Sequence, residues 1–304
     1  MILSEPKSIL CFDLDGTLTP RNKFIIHPEG LNKLLNEISM LGHFVIPVTG
    51  KPASYAAQIY TTNNLVDRGI IAENAGVYRV PNCEEIMIYG PSINEMRALR
   101  EKLGIGMEKV NVTYILINDK EYEVAIDPGD VSILTVFTDP AHVSHRWDFK
   151  HTIQADKLVS SLREIIAVNR WDKFLEVLPS FPDGGVQVIR KDPRTGKSID
   201  KASLVYALEA MYPNVNNLSI AMFGDGHNDI PAMSPDHIIP LTFSNAHEDA
   251  IQFVKLKKGF VSLLDSPEGL GVIDGIRWLA SNNFFGVDSQ HVGKLVTNTF
   301  PDLQ

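Results

Sequence analysis

The chain has 304 residues, 44% hydrophobic and 21% charged, with a formal net charge of −9. This is the composition of an ordinary soluble globular protein, with enough apolar side chains for one large domain or two modest ones. The negative balance speaks against a nucleic-acid backbone as main partner, and no uninterrupted apolar run is long enough to span a membrane.

The N-terminus, Met1 to Lys7, lacks a signal-peptide pattern, because a strand-like segment follows almost at once. Ser8 to Phe12 is a short apolar run of the kind buried on both faces of a parallel sheet. It ends in Asp13-Leu14-Asp15-Gly16-Thr17. Pro28-Glu29-Gly30 then opens a helical pattern with Leu31, Leu34, Leu35 and Ile38 on one face, and Gly42 ends it. Phe44 to Val48 is the next apolar run, finishing at Thr49-Gly50-Lys51, so that strand, helix and strand form a right-handed crossover unit. Ile70 to Asn74 reads as a third strand.

The following block alternates strand and helix patterns: Ile86–Tyr89, a helix over Ile93–Leu103, Thr113–Ile117, Val131–Phe137, a helix over Ala155–Val168, Phe174–Leu178 and Gly185–Ile189. A block of this length suggests an inserted domain with its own core, placed here at 81–189 between core segments 1–80 and 190–304. Lys201 to Tyr212 reads as a helix and Leu218 to Phe223 as a strand ending at Gly224-Asp225-Gly226. Ile238–Leu241 and Phe260–Leu264 are further strands, and Pro267-Glu268 opens a final helix through Leu279. Cys11 and Cys83 are the only cysteines, so a reducing, cytoplasmic setting is expected and a disulfide framework is not.

Ligands of open parallel sheets bind beyond the carboxyl ends of the strands. Three apolar strands end in polar clusters: Asp13 to Thr17, Thr49 to Lys51, and Gly224 to Asp229. Singly, each could be a turn or a helix cap. Together, two of them acidic, they point to chemistry. Paired carboxylates at a buried strand end are costly unless a cation compensates, and a divalent metal is the simplest such cation.

These residues resemble the haloacid dehalogenase superfamily of phosphotransferases along nearly the whole chain. Asp13-Leu14-Asp15-Gly16-Thr17 matches its first motif, Thr49 its second, Lys201 its third, and Gly224-Asp225-Gly226-His227-Asn228-Asp229 its fourth. The long insertion, Asn74-Ala75-Gly76 before it and Ser244-Asn245-Ala246 after the fourth motif resemble the Cof-type branch, which includes many sugar phosphatases. The resemblance implies an α/β fold: a Rossmann-like parallel-sheet core with an inserted α/β cap. It implies Asp13 as nucleophile, Asp15 as general acid and base, and Thr49, Gly50 and Lys201 as phosphate holders. Mg²⁺ would take Asp13, the Asp15 backbone carbonyl and Asp225, with Asn228 and Asp229 positioning ligands from behind. The implied partner is a small phosphorylated metabolite, with no nucleic acid or membrane, and the chain a monomer or small homo-oligomer.

Lys51 stands where many relatives carry Arg, and Lys197 is a rival to Lys201. His227 reads as a solvated loop histidine, and His142, His145, Arg146, Trp147, Lys150 and His151 as an exposed polar loop of the insertion. Arg194 to Ser198 lacks the first glycine of a P-loop, Gly224-Asp225-Gly226 lacks the last glycine of a dinucleotide fingerprint, and His247-Glu248 lacks the second histidine of a zinc-protease helix. The expected activity is Mg²⁺-dependent phosphomonoester hydrolysis. The alternatives are a phosphomutase and a phosphosugar-binding regulator without turnover.

Overall fold

The computed structural model describes residues 5–21, 23–90, 92–105, 112–118, 120–126, 132–138, 152–178, 185–193, 196–267 and 269–302. The chain divides into two compact units, Met1–Ile86 with Lys201–Gln304, and Met87–Asp200. In chain order the first unit begins with β1 (Ser8–Phe12), α1 (Leu31–Met40), β2 (His43–Pro47), α2 (Ala53–Thr62), β3 (Ile70–Ala72) and β4 (Val77–Arg79). The second contains β5 (Met87–Ile88), α3 (Ile93–Lys102), β6 (Val112–Ile117), β7 (Lys120–Ile126), β8 (Leu134–Phe137), α4 (Ala155–Val168), β9 (Leu175–Leu178) and β10 (Gly185–Arg190). The chain returns to the first unit through α5 (Leu204–Met211), β11 (Ser219–Phe223), α6 (Ile230–Met233), β12 (Ile238–Thr242), α7 (Glu248–Leu256), β13 (Phe260–Val261), α8 (Gly271–Ser281) and α9 (Ser289–Thr299).

The first unit is built on a parallel sheet of order β13-β12-β11-β1-β2. Every residue of β1 and β2 is buried, as expected for strands covered on both faces. Alternation along the strands sorts the side chains into two layers. Ile9 and Cys11 of β1, Phe44 and Ile46 of β2, and Ile220 and Met222 of β11 share a core with Leu204, Leu208, Met233 and Val254 of α5, α6 and α7. On the opposite layer Phe12 stacks on Phe223, with ring centroids 4.5 Å apart. Gly275 of α8 lies so close to that layer that a Cβ there would fall 2.6 Å from Phe223 Cε1, which is why this helix carries a glycine in its interior.

The register pairs Phe12 with both Phe223 and Pro47. The strand ends carrying Asp13, Asp225 and Thr49 therefore lie side by side, with the first strand in the middle. Val48 N–H donates to Phe12 O at 2.7 Å and Asp13 N–H to Phe223 O at 2.9 Å, which extends the ladder to the edge of the clusters.

The second unit is an antiparallel sheet of order β6-β7-β8-β10-β9. One face of it packs on α3 and α4 through Met96, Leu99, Leu158 and Leu162. The sequence pattern set this insertion at 81–189, whereas the compact unit runs to Asp200. Strand β10 continues through Arg190, and Lys191 bridges back to Ser198.

Several elements differ from the expectation. β7 lay hidden because Lys120, Glu121 and Glu123 break its apolar alternation: this strand starts exposed and is buried only at Val124–Ile126. The helix expected to be last is followed by α9, whose buried residues are only Ser289, Val292 and Val296. The third strand stops at Ala72, since Glu73, Asn74 and Ala75 all adopt positive φ (50°, 55° and 65°) and turn the chain. β13 ends at Val261, and Leu263 beyond it is exposed.

Candidate active site

The loop after β1 is a tight coil closed on one carbonyl. Thr17, Leu18 and Thr19 all donate their N–H groups to Leu14 O, at 3.2, 3.0 and 2.9 Å. Gly16 sits at φ 91°, and a Cβ there would run into the Asp225 carboxylate. Only glycine combines that backbone with that approach.

The coil separates the two carboxylates as their spacing implied. Asp13 points inward and is buried, and its Oδ1 accepts a hydrogen bond from Lys201 Nζ at 2.6 Å. Asp15 turns outward, and its Oδ1 accepts from the Tyr55 hydroxyl at 2.8 Å. Lys201 is 1% exposed and bridges the site, since its Nζ also donates to Asp229 Oδ1 at 2.6 Å. Lys197, its rival, is exposed. Asp229 is fully buried and its other oxygen accepts from Gly226 N–H at 2.8 Å. Both Asp229 oxygens are thus held by protein donors, which suits a group that fixes the lysine and the Gly224-Asp225-Gly226 turn. Asp225 accepts from Thr17 Oγ1 at 3.3 Å and faces the exposed Arg21 at 3.8 Å.

Asp13, Asp225 and Asp229 offer ligand atoms that all lie within 4.8 Å of one another. Burial, then the Asp229 and Asp225 charges, push the Asp13 carboxyl well above its ordinary range, with Lys201 opposing. Burial and Asp229 likewise raise Asp225 against Arg21 and Lys201. Burial alone would lower Lys201, but Asp13 and Asp229 override it and hold the ammonium above its usual value. The cluster is therefore short of positive charge, and its donors are all hard oxygens. That donor set fits Mg²⁺.

Thr49 is buried at the end of β2, where its Oγ1 accepts from Lys51 N–H at 3.1 Å. It does not cap α2, whose N-cap is Pro52. Gly50 leaves room for Asn74, whose Oδ1 would lie 3.0 Å from a Cβ at that position. Asn228 is exposed, whereas its neighbour Asp229 is buried in the cluster. His227 is exposed, as expected of a loop histidine. The group His142, His145, Arg146, Trp147, Lys150 and His151, together with Arg194 and Thr195, lies outside the described residues.

Sequence reasoning missed Tyr55 and Arg21. Tyr55 occupies the first turn of α2 and carries no motif, and only the packing of α2 against the coil makes it a partner of Asp15. A cleft of about 560 Å³ opens beside Gly16, Arg21, Asp225, Asn245 and Asp265. Asn245 is fixed there by hydrogen bonds to Ser266 O (2.7 Å) and from Ser266 N–H (3.1 Å).

The buried carboxylate–lysine cluster thus lies at the carboxyl ends of the central strands of a parallel α/β core, where open sheets of this kind bind their ligands. The family model described as haloacid dehalogenase-like hydrolase matches residues 10–255. The chain belongs to that family. No curated protein matches it. Among solved structures it is similar to a haloacid dehalogenase-like hydrolase from Bacteroides thetaiotaomicron, at 15% identity over 95% of this chain and 99% of that one, with a TM-score of 0.56. A Thermoplasma acidophilum protein is 14% identical over 97% and 98% of the two chains, with a TM-score of 0.54. A phosphatase of the superfamily from Bacteroides thetaiotaomicron is 15% identical over 90% and 96%, with a TM-score of 0.54. At these identities the likeness is one of fold.

Proposed function

We propose that this protein is a Mg²⁺-dependent phosphomonoester hydrolase that acts through an aspartyl-phosphate on a sugar phosphate or similar small phosphorylated metabolite. The observation that carries the reading is the buried Asp13–Lys201–Asp229 chain beside Asp225, at the carboxyl ends of β1 and β11. The insertion between Thr49 and Lys201 supports a place in the Cof-type branch.

Asp13 attacks phosphorus in line, and the bond to the leaving oxygen breaks as Asp15 gives that oxygen a proton. Water then attacks the phosphorus of the aspartyl-phosphate, Asp15 takes back the proton, and phosphate leaves with Asp13 restored. Lys201 orients the Asp13 carboxylate, and with Thr49 and Gly50 it holds phosphoryl oxygens. Tyr55 holds Asp15 by its Oδ1. Asp13, Asp225 and the Asp15 carbonyl would hold Mg²⁺, which supplies charge neutralisation for the phosphoryl group.

The test is a screen of phosphorylated metabolites, reading free phosphate with and without Mg²⁺. Turnover that needs Mg²⁺, and that Asp13→Asn abolishes, is the expected result. Full activity in chelator, or undiminished turnover by Asp13→Asn, would overturn the reading. Isomer formation in place of free phosphate would make the protein a phosphomutase.

A further inference from the structure

After β3 the chain turns through Glu73, Asn74 and Ala75, three consecutive non-glycine residues at φ 50°, 55° and 65°. Left-handed backbone is uncommon for any one such residue, and strain of this kind persists only where the surroundings hold it. Here they do. Glu73 is buried, and Ala75 is sunk in the core that contains Val48 and Ile71. Gly76 N–H closes the turn on Glu73 O at 2.9 Å.

The turn grips the chain on both sides of Gly50. Asn74 N–H donates to Thr49 O at 3.1 Å, and Glu73 N–H donates to Lys51 O at 3.0 Å. The Asn74 carboxamide packs on Gly50 itself, where a Cβ would be crowded. A trans peptide is planar, with its C=O and N–H pointing opposite ways. Because Thr49 O is turned to the β3 side, Gly50 N–H points to the β1 side. Val48 N–H donates to Phe12 O, so the next acceptor of that parallel ladder would be Leu14 O. That carbonyl has been withdrawn into the coil, where it takes the N–H groups of Thr17, Leu18 and Thr19. Gly50 N–H is thus left without an acceptor among the described residues, facing the strand end that carries Asp13.

We propose that Asn74 is a positioning residue: the left-handed turn it centres fixes the Thr49–Gly50 peptide so that Gly50 N–H is aimed at a phosphoryl oxygen on Asp13. This rests on the phosphatase reading, in which Gly50 holds phosphate, and adds what holds Gly50. A donor fixed before the substrate arrives stabilises developing charge with no reorganisation at the moment of reaction. Asparagine suits the place, because it tolerates left-handed backbone better than other non-glycine residues and its carboxamide occupies the space that a side chain at position 50 would take.

The experiment compares two variants in the hydrolysis of an aryl phosphate and its inhibition by orthovanadate, with Mg²⁺ present. Asn74→Val places a β-branched residue where positive φ is a steric outlier, so the turn must open. Asn74→Gly keeps both the φ and the N–H. The valine variant is expected to lose about tenfold or more in kcat/KM and to bind orthovanadate more weakly by the same factor, while the Mg²⁺ concentration for half-maximal activity stays the same. The glycine variant is expected to recover most of that loss. Should the valine variant not fold, the wild type still decides: with labelled glycine, the Gly50 amide proton resonance is expected to move downfield when Mg²⁺ and orthovanadate are added. Wild-type kinetics in the valine variant, an equal loss in the glycine variant, a parallel loss of Mg²⁺ affinity, or a Gly50 amide that does not respond would each overturn this proposal alone. Wild-type protein that neither cleaves the ester nor binds orthovanadate would overturn the phosphatase reading, and this proposal with it.

Discussion

Lys201 is the residue on which the buried cluster turns, because it is the ammonium that Asp13 and Asp229 share. Removing it strands carboxylates in a low-dielectric interior. Breaking a buried pair in this way typically costs about 3–5 kcal/mol. Lys201→Met should lower the urea midpoint accordingly, and an unchanged midpoint would show that the bridge contributes nothing. Tyr55 acts one step removed, on the orientation of Asp15. Tyr55→Phe should lower kcat by roughly tenfold with KM little changed, the pattern of an interaction that matters after binding. A rise in KM alone would assign Tyr55 to substrate binding instead. At this scale the sequence was readable where chemistry sits directly after an apolar strand, as with Asp13, Asp15, Thr49 and Asp225. It was silent on Tyr55 and Arg21, whose relation to the site comes from helix and loop packing. Asn228 and Asp229 were indistinguishable as neighbours in sequence, yet the turn buries one and exposes the other.

Among the elements, the parallel strands were legible because runs such as Ser8–Phe12 and Ser219–Phe223 are buried almost throughout and need no alternation. β7 was not, since it is half exposed and charged, and α9 was not, since its buried face is narrow. Helix α8 shows how packing overrides propensity. Alanine is a better helix former than glycine by about 1 kcal/mol. At Gly275, however, a Cβ would press on Phe223, and a crowded core resists such additions by about 1–3 kcal/mol. Gly275→Ala should therefore destabilise the protein, as measured by thermal or urea unfolding. A stabilised variant would show that the Phe12–Phe223 layer gives way easily.

For the whole molecule, His43 couples stability to pH. It is buried on β2, its Nδ1 2.9 Å from Ser8 Oγ and its Nε2 3.3 Å from Asp288 Oδ2, beside Phe285. Burial lowers its pKa, and Asp288 only partly offsets that. The unfolded chain therefore takes up the proton first as pH falls. The stability contributed by neutral His43 is present above the ordinary imidazole value of about 6.5 and is lost as pH drops through the lowered folded value. Urea midpoints should fall from about pH 7 to about pH 5 in the wild type and fall less in His43→Asn. Equal slopes would remove His43 from the account.

The division into a parallel core and an inserted sheet-and-helix unit was legible from the return of the strand pattern after Lys201, while the compact unit starts at Met87 rather than 81 and ends at Asp200 rather than 189, the latter because β10 and the Lys191–Ser198 bridge extend the insertion. The central claim is that Asp13 carries the phosphoryl group. Acid-quenching the Mg²⁺-loaded protein during turnover, followed by mass spectrometry of the peptide containing Asp13, tests it most directly. One phosphoryl group on Asp13, absent from Asp13→Asn and discharged on returning to neutral buffer, is the result this account predicts. Steady turnover with Asp13 unmodified at every quench time would contradict it.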